Sequence, residues 1–229
     1  MKNSPSNVLV VDDDVGIHRA LAKLLELAGF AMHGFLSAED FLTAEKPEGP
    51  GCLLLDMKMP GMNGLVLQRA MATSERKYPI IFLTGNGDVH SCADAMKMGA
   101  VDFFTKPCSP DELIDAIERA LRLDIAASEL RDNRRSIEQR VATLTRRETQ
   151  VMQHVATGLL NKQIAFELGT SVKTVKIHRA RVMAKMRARS LADLVKFAAA
   201  VDLGISSIFT PQLVGASQTS TSQSLNECA

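Results

Sequence analysis

The sequence predicts a doubly wound α/β domain with five parallel strands, followed by a long helix and an all-α domain of four helices. In residues 5–122, short apolar runs alternate five times with amphipathic patterns, which is typical of strands and helices in such a fold. The charge also changes along the chain. Residues 143–200 contain eleven basic residues (Lys and Arg) and three acidic ones (Asp and Glu). Residues 1–142 contain sixteen basic residues and twenty-one acidic ones. An acidic front and a basic back indicate two domains, with nucleic acid as a candidate partner of the second.

Apolar runs predict the strands of the first domain in chain order. They are residues 7–11, a weaker run at 31–35, three leucines that end at Asp56, and residues 80–84 and 101–104. Amphipathic or capped segments between them predict the helices. These are a helix from Ile17 that Gly29 stops, a short one capped by Ser37, residues 65–71, residues 89–98, and a long one from Pro110 to about residue 140.

The carboxyl ends of the predicted strands carry polar side chains. They are Asp12, Asp13, Asp56, Thr84 and Lys106. Parallel strands end at one edge of a sheet, where open α/β sheets bind ligands. Three clustered carboxylates repel one another and need a cation, and an all-oxygen ligand set suits Mg²⁺. Such a site would accept a phosphoryl group on Asp56, with Lys106 and Thr84 at its oxygens. The alternative for each residue taken alone is structural: a turn cap for Asp56 and a surface position for Lys106.

Polar caps predict four helices in residues 143–202. Thr145 and Glu148 form a capping box for the first, residues 161–168 are the second, Ser171 caps the third, and Ser190 with Asp193 caps the fourth. A tight turn with Gly169 joins the second helix to the third, which is the helix-turn-helix pattern.

The third of these helices has an apolar face and a basic face. We expect Val172, Val175, Val182, Met183 and Met186 to point inward, and Lys173, Thr174, Lys176, Arg179, Arg181 and Lys185 to point outward. A basic outward face suits phosphate contacts and the major groove of DNA. The alternative is an ordinary solvated helix face.

The segments VLVVDDD, LLLDMKMPGMNG, IIFLTGNGDV and AVDFFTKP resemble the receiver domain of two-component response regulators over nearly all of residues 5–122. The resemblance implies a flavodoxin-like fold with Asp56 as the phosphoacceptor. It implies that Mg²⁺ is held by Asp12, Asp13, Asp56 and the main-chain carbonyl of Lys58. It also implies that Thr84 and Lys106 contact the phosphoryl group, that Phe103 is the switch aromatic, and that the Lys106-Pro107 bond is cis.

Residues 144–190 resemble the LuxR-type helix-turn-helix of the NarL/FixJ response regulators, and the receiver motifs are most similar to FixJ-like members. The resemblance implies that Lys176, Ile177 and Ala180 face base edges, and that Lys173, Thr174, Arg179 and Arg181 contact phosphates or neighbouring bases. Some members of the family carry a long polar side chain where this sequence has Ala180. The alanine would limit the direct recognition of one base pair, because its side chain offers no hydrogen-bonding group. The fourth helix would be the dimer contact on DNA.

The remaining segments complete the predicted domain plan. It consists of a receiver domain at residues 5–122, a helical linker at 123–142, the helix-turn-helix domain at 143–202 and a disordered polar tail at 203–229. The scattered cysteines (Cys52, Cys92, Cys108 and Cys228) suggest reduced thiols in the cytoplasm. No run approaches the roughly 20 apolar residues of a membrane span, so no membrane contact is expected.

The predicted function is a DNA-binding transcriptional regulator switched by phosphorylation of Asp56 by a partner sensor histidine kinase. Its expected partners are that kinase, promoter DNA, RNA polymerase, and a second copy of itself on phosphorylation or on DNA. It is not predicted to be an enzyme, beyond self-catalysed phosphotransfer to Asp56 and hydrolysis from it. Three alternatives stay open: a phosphohydrolase that forms an aspartyl-phosphate, a phosphorylation-independent DNA binder with the receiver as a dimerisation scaffold, and a protein-interaction module.

Overall fold

The computed structural model describes residues 6–74, 76–85 and 89–201, except for the side chain of Val89. The chain divides into two compact units, Met1–Asp132 and Asn133–Ala229. The predicted tail at 203–229 lies outside the described residues. Within the described ranges, no helix combines the length and the apolar character needed to cross a membrane.

The first unit contains a parallel sheet of five described strands. They are β1 (Asn7–Val11), β2 (Ala31–Phe35), β3 (Gly51–Asp56), β4 (Ile80–Thr84) and β5 (Asp102–Thr105). Their order in the sheet is β2-β1-β3-β4-β5. The predicted doubly wound fold is therefore confirmed, with β5 starting one residue later than expected.

Helices connect the strands, and polar caps begin several of them. They are α1 (Val15–Leu27), α2 (Ala38–Thr43), α3 (Gly64–Met71), α4 (Val89–Lys97) and α5 (Pro110–Ala142). The side chains of Asp14, Ser37 and Asn63 each accept a main-chain hydrogen bond at the start of α1, α2 and α3. Gly29, with φ +80°, follows α1 in the left-handed conformation that favours glycine.

Alternate residues of the central strands pack on opposite faces of the sheet. On one face, Leu9, Leu53 and Phe82 pack with α2 and α3; on the other, Val10 and Leu54 pack with α1 and α5. Because β1, β3 and β4 are buried along their whole length, they read as continuous apolar runs in the sequence. Each fully buried aliphatic side chain contributes about 1.5–3 kcal/mol.

The second unit is a small helical domain. Its helices are α6 (Arg146–Ala156), α7 (Asn161–Glu167), α8 (Val172–Met186) and α9 (Leu191–Ala200). The predicted capping boxes Thr145–Glu148 and Ser190–Asp193 are both present, and Ser171 caps α8. The core of this unit gathers Met152, Ile164, Val182 and Leu194, one from each helix.

Two predictions about α8 are wrong. Val172 is 39% exposed rather than inward, because it is the first residue of the helix, one turn before the first buried residue, Val175. Lys185 does not point freely outward. Its Nζ lies 2.6 Å from Oε2 of the buried Glu148 and donates to the Thr143 carbonyl at 2.9 Å. A buried carboxylate needs a partner, and Lys185 supplies it.

The long helix predicted after Pro110 is confirmed and runs to Ala142. Residues at both ends of the expected linker, 123–142, are packed. Asp124 is 1% exposed and hydrogen-bonded within the first unit, and Ile137 lies in the core of the second unit. The boundaries of receiver, linker and helix-turn-helix domain stay predictions.

Candidate functional site

The carboxyl ends of β1 and β3 and the residue after β5 bring three predicted side chains together. Lys106 Nζ lies 2.5 Å from Asp12 Oδ2 and 3.0 Å from Asp56 Oδ1. Both carboxylates are buried, whereas the side chain of Lys106 is 19% exposed. A single ammonium group therefore serves two buried carboxylates, and the cluster of three keeps excess negative charge.

Burial and pairing act against each other on the protonation of this cluster. Burial raises the pKa of Asp56, and the hydrogen bond from Lys106 opposes that rise. Burial also acts to lower the pKa of Lys106, but hydrogen bonds to Asp12 and Asp56 outweigh it, so the pKa of Lys106 is raised. Lys106 thus stays protonated, and ionised Asp56 gains from any further positive charge.

Main-chain groups orient the two carboxylates. The Lys58 N–H donates to Asp56 Oδ2 at 3.0 Å, and the Asp14 N–H donates to Asp12 Oδ1 at 3.0 Å. Turns at the ends of β1 and β3 therefore hold the acids at fixed angles. Because these contacts come from the backbone, the sequence gives no direct sign of them.

His18 supports the turn after β1, a role that the sequence does not predict. Its Nε2 lies 2.8 Å from the main-chain oxygen of Asp12. Its ring lies against Gly34 of β2, where an added Cβ would meet His18 Nδ1 at 2.5 Å. The only signal in the sequence is the position of His18 on the first turns of the helix after Asp12.

The other predicted residues lie around the cluster at different depths. Thr84 is fully buried at the end of β4, and its carbonyl accepts from the Lys106 N–H at 2.7 Å. Phe103 is partly buried against the core of the α2 and α3 face, and Asp13 and Lys58 are exposed. The Lys106-Pro107 bond is cis, as predicted. Among the described residues, no three His, Cys, Asp or Glu side chains lie close enough together to hold a metal ion.

The start of α3 lies directly against the Asp56 turn. A Cβ added at Gly64 would come within 2.4 Å of the Asp56 carbonyl oxygen and 3.1 Å of Met57 Cα. The Gly64 N–H donates to the Met57 carbonyl at 3.2 Å. Only glycine allows this approach, so Gly64 sets the position of the loop that carries Asp56 and Lys58.

In the second unit, α8 presents most of the predicted DNA-contacting residues. Lys173, Lys176, Ile177, Ala180 and Arg181 are exposed, whereas Thr174 and Arg179 are partly buried. Arg179 Nη1 donates to Asn161 Oδ1 of α7 at 3.1 Å, and the Thr174 hydroxyl lies 2.9 Å from that of Ser171. The exposed face of α8 therefore carries three exposed cations, Lys173, Lys176 and Arg181. Arg179 also uses one of its donors in the hydrogen bond to α7.

A five-stranded parallel sheet with an aspartate–lysine cluster at its carboxyl edge, joined to a helix-turn-helix unit, defines a receiver coupled to a DNA-binding domain. Residues 8–118 match the response regulator receiver domain family, and residues 142–198 match the luxR family of bacterial regulatory proteins. The chain belongs to the response regulators of the NarL/FixJ type, which combine these two domains.

Curated relatives match nearly the whole chain. Nodulation protein W of Bradyrhizobium diazoefficiens is 44% identical over 205 residues, covering 90% of this chain and 89% of the relative. The transcriptional regulatory protein FixJ of Rhizobium meliloti is 43% identical over 86% of this chain and 97% of its own length.

Solved structures agree with these matches. The response regulator StyR aligns with a TM-score of 0.75 at 43% identity, over 86% of this chain and 99% of StyR. Full-length FixJ from B. japonicum aligns with a TM-score of 0.52 at 40% identity, over 85% of this chain and 96% of that protein.

The protein is thus a phosphorylation-regulated transcription factor of a two-component system and not a conventional enzyme. A sensor kinase and DNA are its implied partners.

Proposed function

We propose that Asp56 accepts a phosphoryl group from a sensor histidine kinase and that this event controls promoter binding through α8. The supporting observation is the buried cluster in which Lys106 lies 3.0 Å from Asp56 and 2.5 Å from Asp12. The cluster stands at the carboxyl edge of the sheet, where α/β folds carry their chemistry. Its Asp56 turn is open to solvent at Lys58, which gives a donor access.

The transfer is a displacement at phosphorus. A carboxylate oxygen of Asp56 attacks the phosphorus atom, and the bond between phosphorus and the donor imidazole nitrogen breaks. The imidazole leaves as a neutral group after taking a proton, and Asp56 becomes an acyl phosphate. Lys106 turns toward a phosphoryl oxygen, and the Thr84 hydroxyl donates to another. Attack by water on phosphorus later restores the carboxylate and releases inorganic phosphate.

Mg²⁺ is the cation that we propose for this site. Its ligands would be Asp12, Asp13, Asp56 and the Lys58 main-chain carbonyl. The chemistry of the donor set fits, since all of these atoms are oxygens and the two buried carboxylates share only one ammonium group. Asp13 is exposed, and among the described residues it does not form a group of three close acids with Asp12 and Asp56, so it would join them only on binding the ion. When bound, the ion supplies the positive charge that the phosphoryl oxygens require. Water would fill the remaining positions, as is usual for Mg²⁺.

The DNA contacts follow from the exposed face of α8. Lys176, Ile177 and Ala180 would face base edges, and Lys173, Thr174, Arg179 and Arg181 would contact phosphates or neighbouring bases. Phe103 would be the switch residue that responds to phosphorylation of Asp56. A homodimer would place two α8 helices on two half-sites of the DNA. We further propose contact with RNA polymerase, and the cytoplasm as the compartment, because promoter DNA is there.

The phosphoacceptor is tested by mass spectrometry of the intact protein. Purified protein is incubated with a small phosphoryl donor, with and without Mg²⁺. We expect one added phosphoryl group only when Mg²⁺ is present and none in Asp56→Asn. Asp40→Asn makes the same chemical change at an exposed aspartate of α2 and should be phosphorylated like the wild type. Full phosphorylation of Asp56→Asn would remove Asp56 from the proposal.

A further inference from the structure

The main chain of Asp12 is held on both sides by hydrogen bonds. Its N–H donates to the Phe35 carbonyl of β2 at 3.1 Å, and its carbonyl oxygen lies 2.8 Å from Nε2 of His18 on α1. Because a carbonyl oxygen can only accept, Nε2 carries the proton and donates it. The Asp12 carbonyl and the Asp13 N–H belong to the same planar peptide. The bond from His18 therefore fixes the peptide that joins two of the acids proposed to hold Mg²⁺.

The first turn of α1 brings His18 back to this peptide, six residues away in the chain. Asp14 Oδ1 accepts from the Gly16 N–H at 2.6 Å, and the Asp14 carbonyl accepts from the His18 N–H at 3.2 Å. These two bonds begin the helix directly after the acids. The segment from residue 12 to residue 18 is thus a loop that the imidazole ring closes.

Gly34 of β2 provides the space for the ring. A Cβ at this position would lie 2.5 Å from His18 Nδ1 and 2.9 Å from Cε1, which is closer than side-chain atoms approach one another. The φ of Gly34 lies outside the left-handed region, so its backbone alone would accept a side chain. Glycine inside a strand often marks a close approach of another group. Here the group that approaches is the imidazole ring of His18.

His18 holds Asp12 in a different way from the other neighbours of this acid. Asp12 Oδ1 accepts from the Asp14 N–H at 3.0 Å, and Oδ2 lies 2.5 Å from Lys106 Nζ. Those contacts use the carboxylate oxygens that an ion would also need. The bond from His18 uses the main-chain carbonyl instead, so it holds Asp12 without competing with the ion.

We propose that His18 is a positioning residue for the Mg²⁺ site, an inference that rests on the proposed function. Its Nε2–H fixes the Asp12–Asp13 peptide in the ion-free protein, and Gly34 leaves room for the ring. Acids that are ordered before the ion arrives bind it more tightly, because less ordering remains to be done on binding. Groups that orient a metal ligand without contacting the metal typically contribute about 10–100-fold to metal affinity. His18 thus sets how much Mg²⁺ the receiver needs.

The test measures Mg²⁺ binding to the full-length protein by isothermal titration calorimetry. His18→Met removes the donor and should raise the Kd for Mg²⁺ about tenfold, the lower end of that range. His18→Gln keeps an N–H donor of similar reach and should stay within about threefold of the wild type. His33→Met is the matched control. It loses a 3.0 Å contact with Asn7 Oδ1 at the other end of β1 and should bind Mg²⁺ like the wild type.

Two further measurements separate positioning from a general loss of stability. At saturating Mg²⁺, His18→Met should accept the phosphoryl group at the wild-type rate, because only the ion affinity is reduced. In the ion-free wild type, the imidazole ¹⁵N signals at mildly alkaline pH should show a proton on His18 Nε2.

Gly34→Ala tests the same contact with His18 left in place. The added Cβ should displace the ring and raise the Kd for Mg²⁺ as much as His18→Met does, and the double variant should bind no more weakly than either single one. Unchanged Mg²⁺ affinity in His18→Met, an equal loss in His33→Met, or His18 Nε2 without a proton would each overturn this inference alone. A wild-type protein that binds no Mg²⁺ would overturn the ion site and this inference with it.

Discussion

Asp56 is a buried carboxylate that forms an ion pair with Lys106, which lies 50 residues later in the chain. Two such acids beside one ammonium group form an unbalanced cluster. The imbalance is costly for stability, since buried charges need full pairing. It is useful for function, because the same cluster favours a cation and holds an ammonium group ready for phosphoryl oxygens.

Gly64→Ala should disturb the Asp56 turn. The added Cβ would lie 2.4 Å from the Asp56 carbonyl oxygen, a backbone atom, so the start of α3 must shift. We expect a loss of about 1–3 kcal/mol in the free energy of unfolding. Denaturation can be followed by the fluorescence of Tyr78, the only tyrosine in a chain without tryptophan. Gly85→Ala, where a Cβ meets nothing within 4 Å, is the control and should be nearly neutral.

The Glu148–Lys185 pair should make the second unit sensitive to acid. Hydrogen bonds from Lys185 and Thr145 lower the pKa of Glu148 from 4.5 to about 2. The stabilisation is therefore complete above the unfolded pKa and disappears as the pH falls from about 4.5 to about 2. Glu148→Gln should cost about 1–3 kcal/mol at neutral pH and little near pH 2.

Thermal unfolding of the second unit, followed by the methyl NMR signals of Met152 and Met186, measures this effect. Glu167→Gln changes an exposed acid of α7 and should leave the pH dependence unchanged. A difference between Glu148→Gln and wild type that stays constant from pH 7 to about pH 2 would contradict the assignment.

The positions of Asp12, Asp56 and Lys106 at strand ends could be predicted from the sequence, because residue type and strand periodicity carry that information. The role of His18 could not be predicted, since a lone histidine on a helix says nothing about which carbonyl its ring contacts. The helical pattern also predicts Lys185 on the outer face. Helical spacing cannot show that a buried Glu148 on another helix takes that ammonium group.

At the scale of elements, α5 is fixed to the sheet by a buried ion cluster. Asp124 accepts from the Gly51 N–H at 2.9 Å, and its carboxylate pairs with Arg76 at 3.1 Å and Arg131 at 3.3 Å. The start of β3, the segment before β4 and two turns of α5 thus share one carboxylate. We infer that this cluster holds the part of α5 beyond residue 122 on the receiver.

Asp124→Asn should loosen this attachment. The amide keeps one acceptor but loses the charge that two guanidinium groups share, so we expect a loss of about 1–3 kcal/mol in the free energy of unfolding. Tyr78 fluorescence and the hydrogen exchange of the Gly51 amide measure it. Asp132→Asn, at an exposed position of α5, is the matched control. Unchanged exchange at Gly51 in Asp124→Asn would contradict the anchoring role.

Helix and strand order could be predicted from sequence, because caps such as Ser37 and Thr145 are local signals. The packing of α5 could not be predicted. A charged stretch with Asp124 and Arg131 looks like a solvated connector until the fold brings the Gly51 N–H and Arg76 to it. Helical spacing predicts that Val172 points inward because the apolar pattern continues to the first residue of α8, whereas burial begins at Val175.

At the scale of the whole molecule, function depends on two units. An acidic unit accepts a phosphoryl group, and a basic unit binds DNA. The exposed cations of α8 should displace counterions from the DNA phosphates on binding. The affinity for DNA should therefore fall steeply as the salt concentration rises. Lys173→Ala should weaken promoter binding about tenfold and reduce the salt slope by about one, because Lys173 is expected to contact a phosphate. Lys97→Ala, in the last turn of α4, is the control. Binding of Lys173→Ala with wild-type affinity and salt slope would remove Lys173 from the interface.

The most direct measurement is selection of genomic DNA fragments on the full-length protein, with and without Mg²⁺ and a small phosphoryl donor. Wild-type protein should enrich a paired sequence motif only when donor is present, and Asp56→Asn should not respond to donor. Equal enrichment in both arms would leave a DNA-binding protein whose control is not phosphorylation, with the receiver as a dimerisation scaffold. That result would contradict the switch.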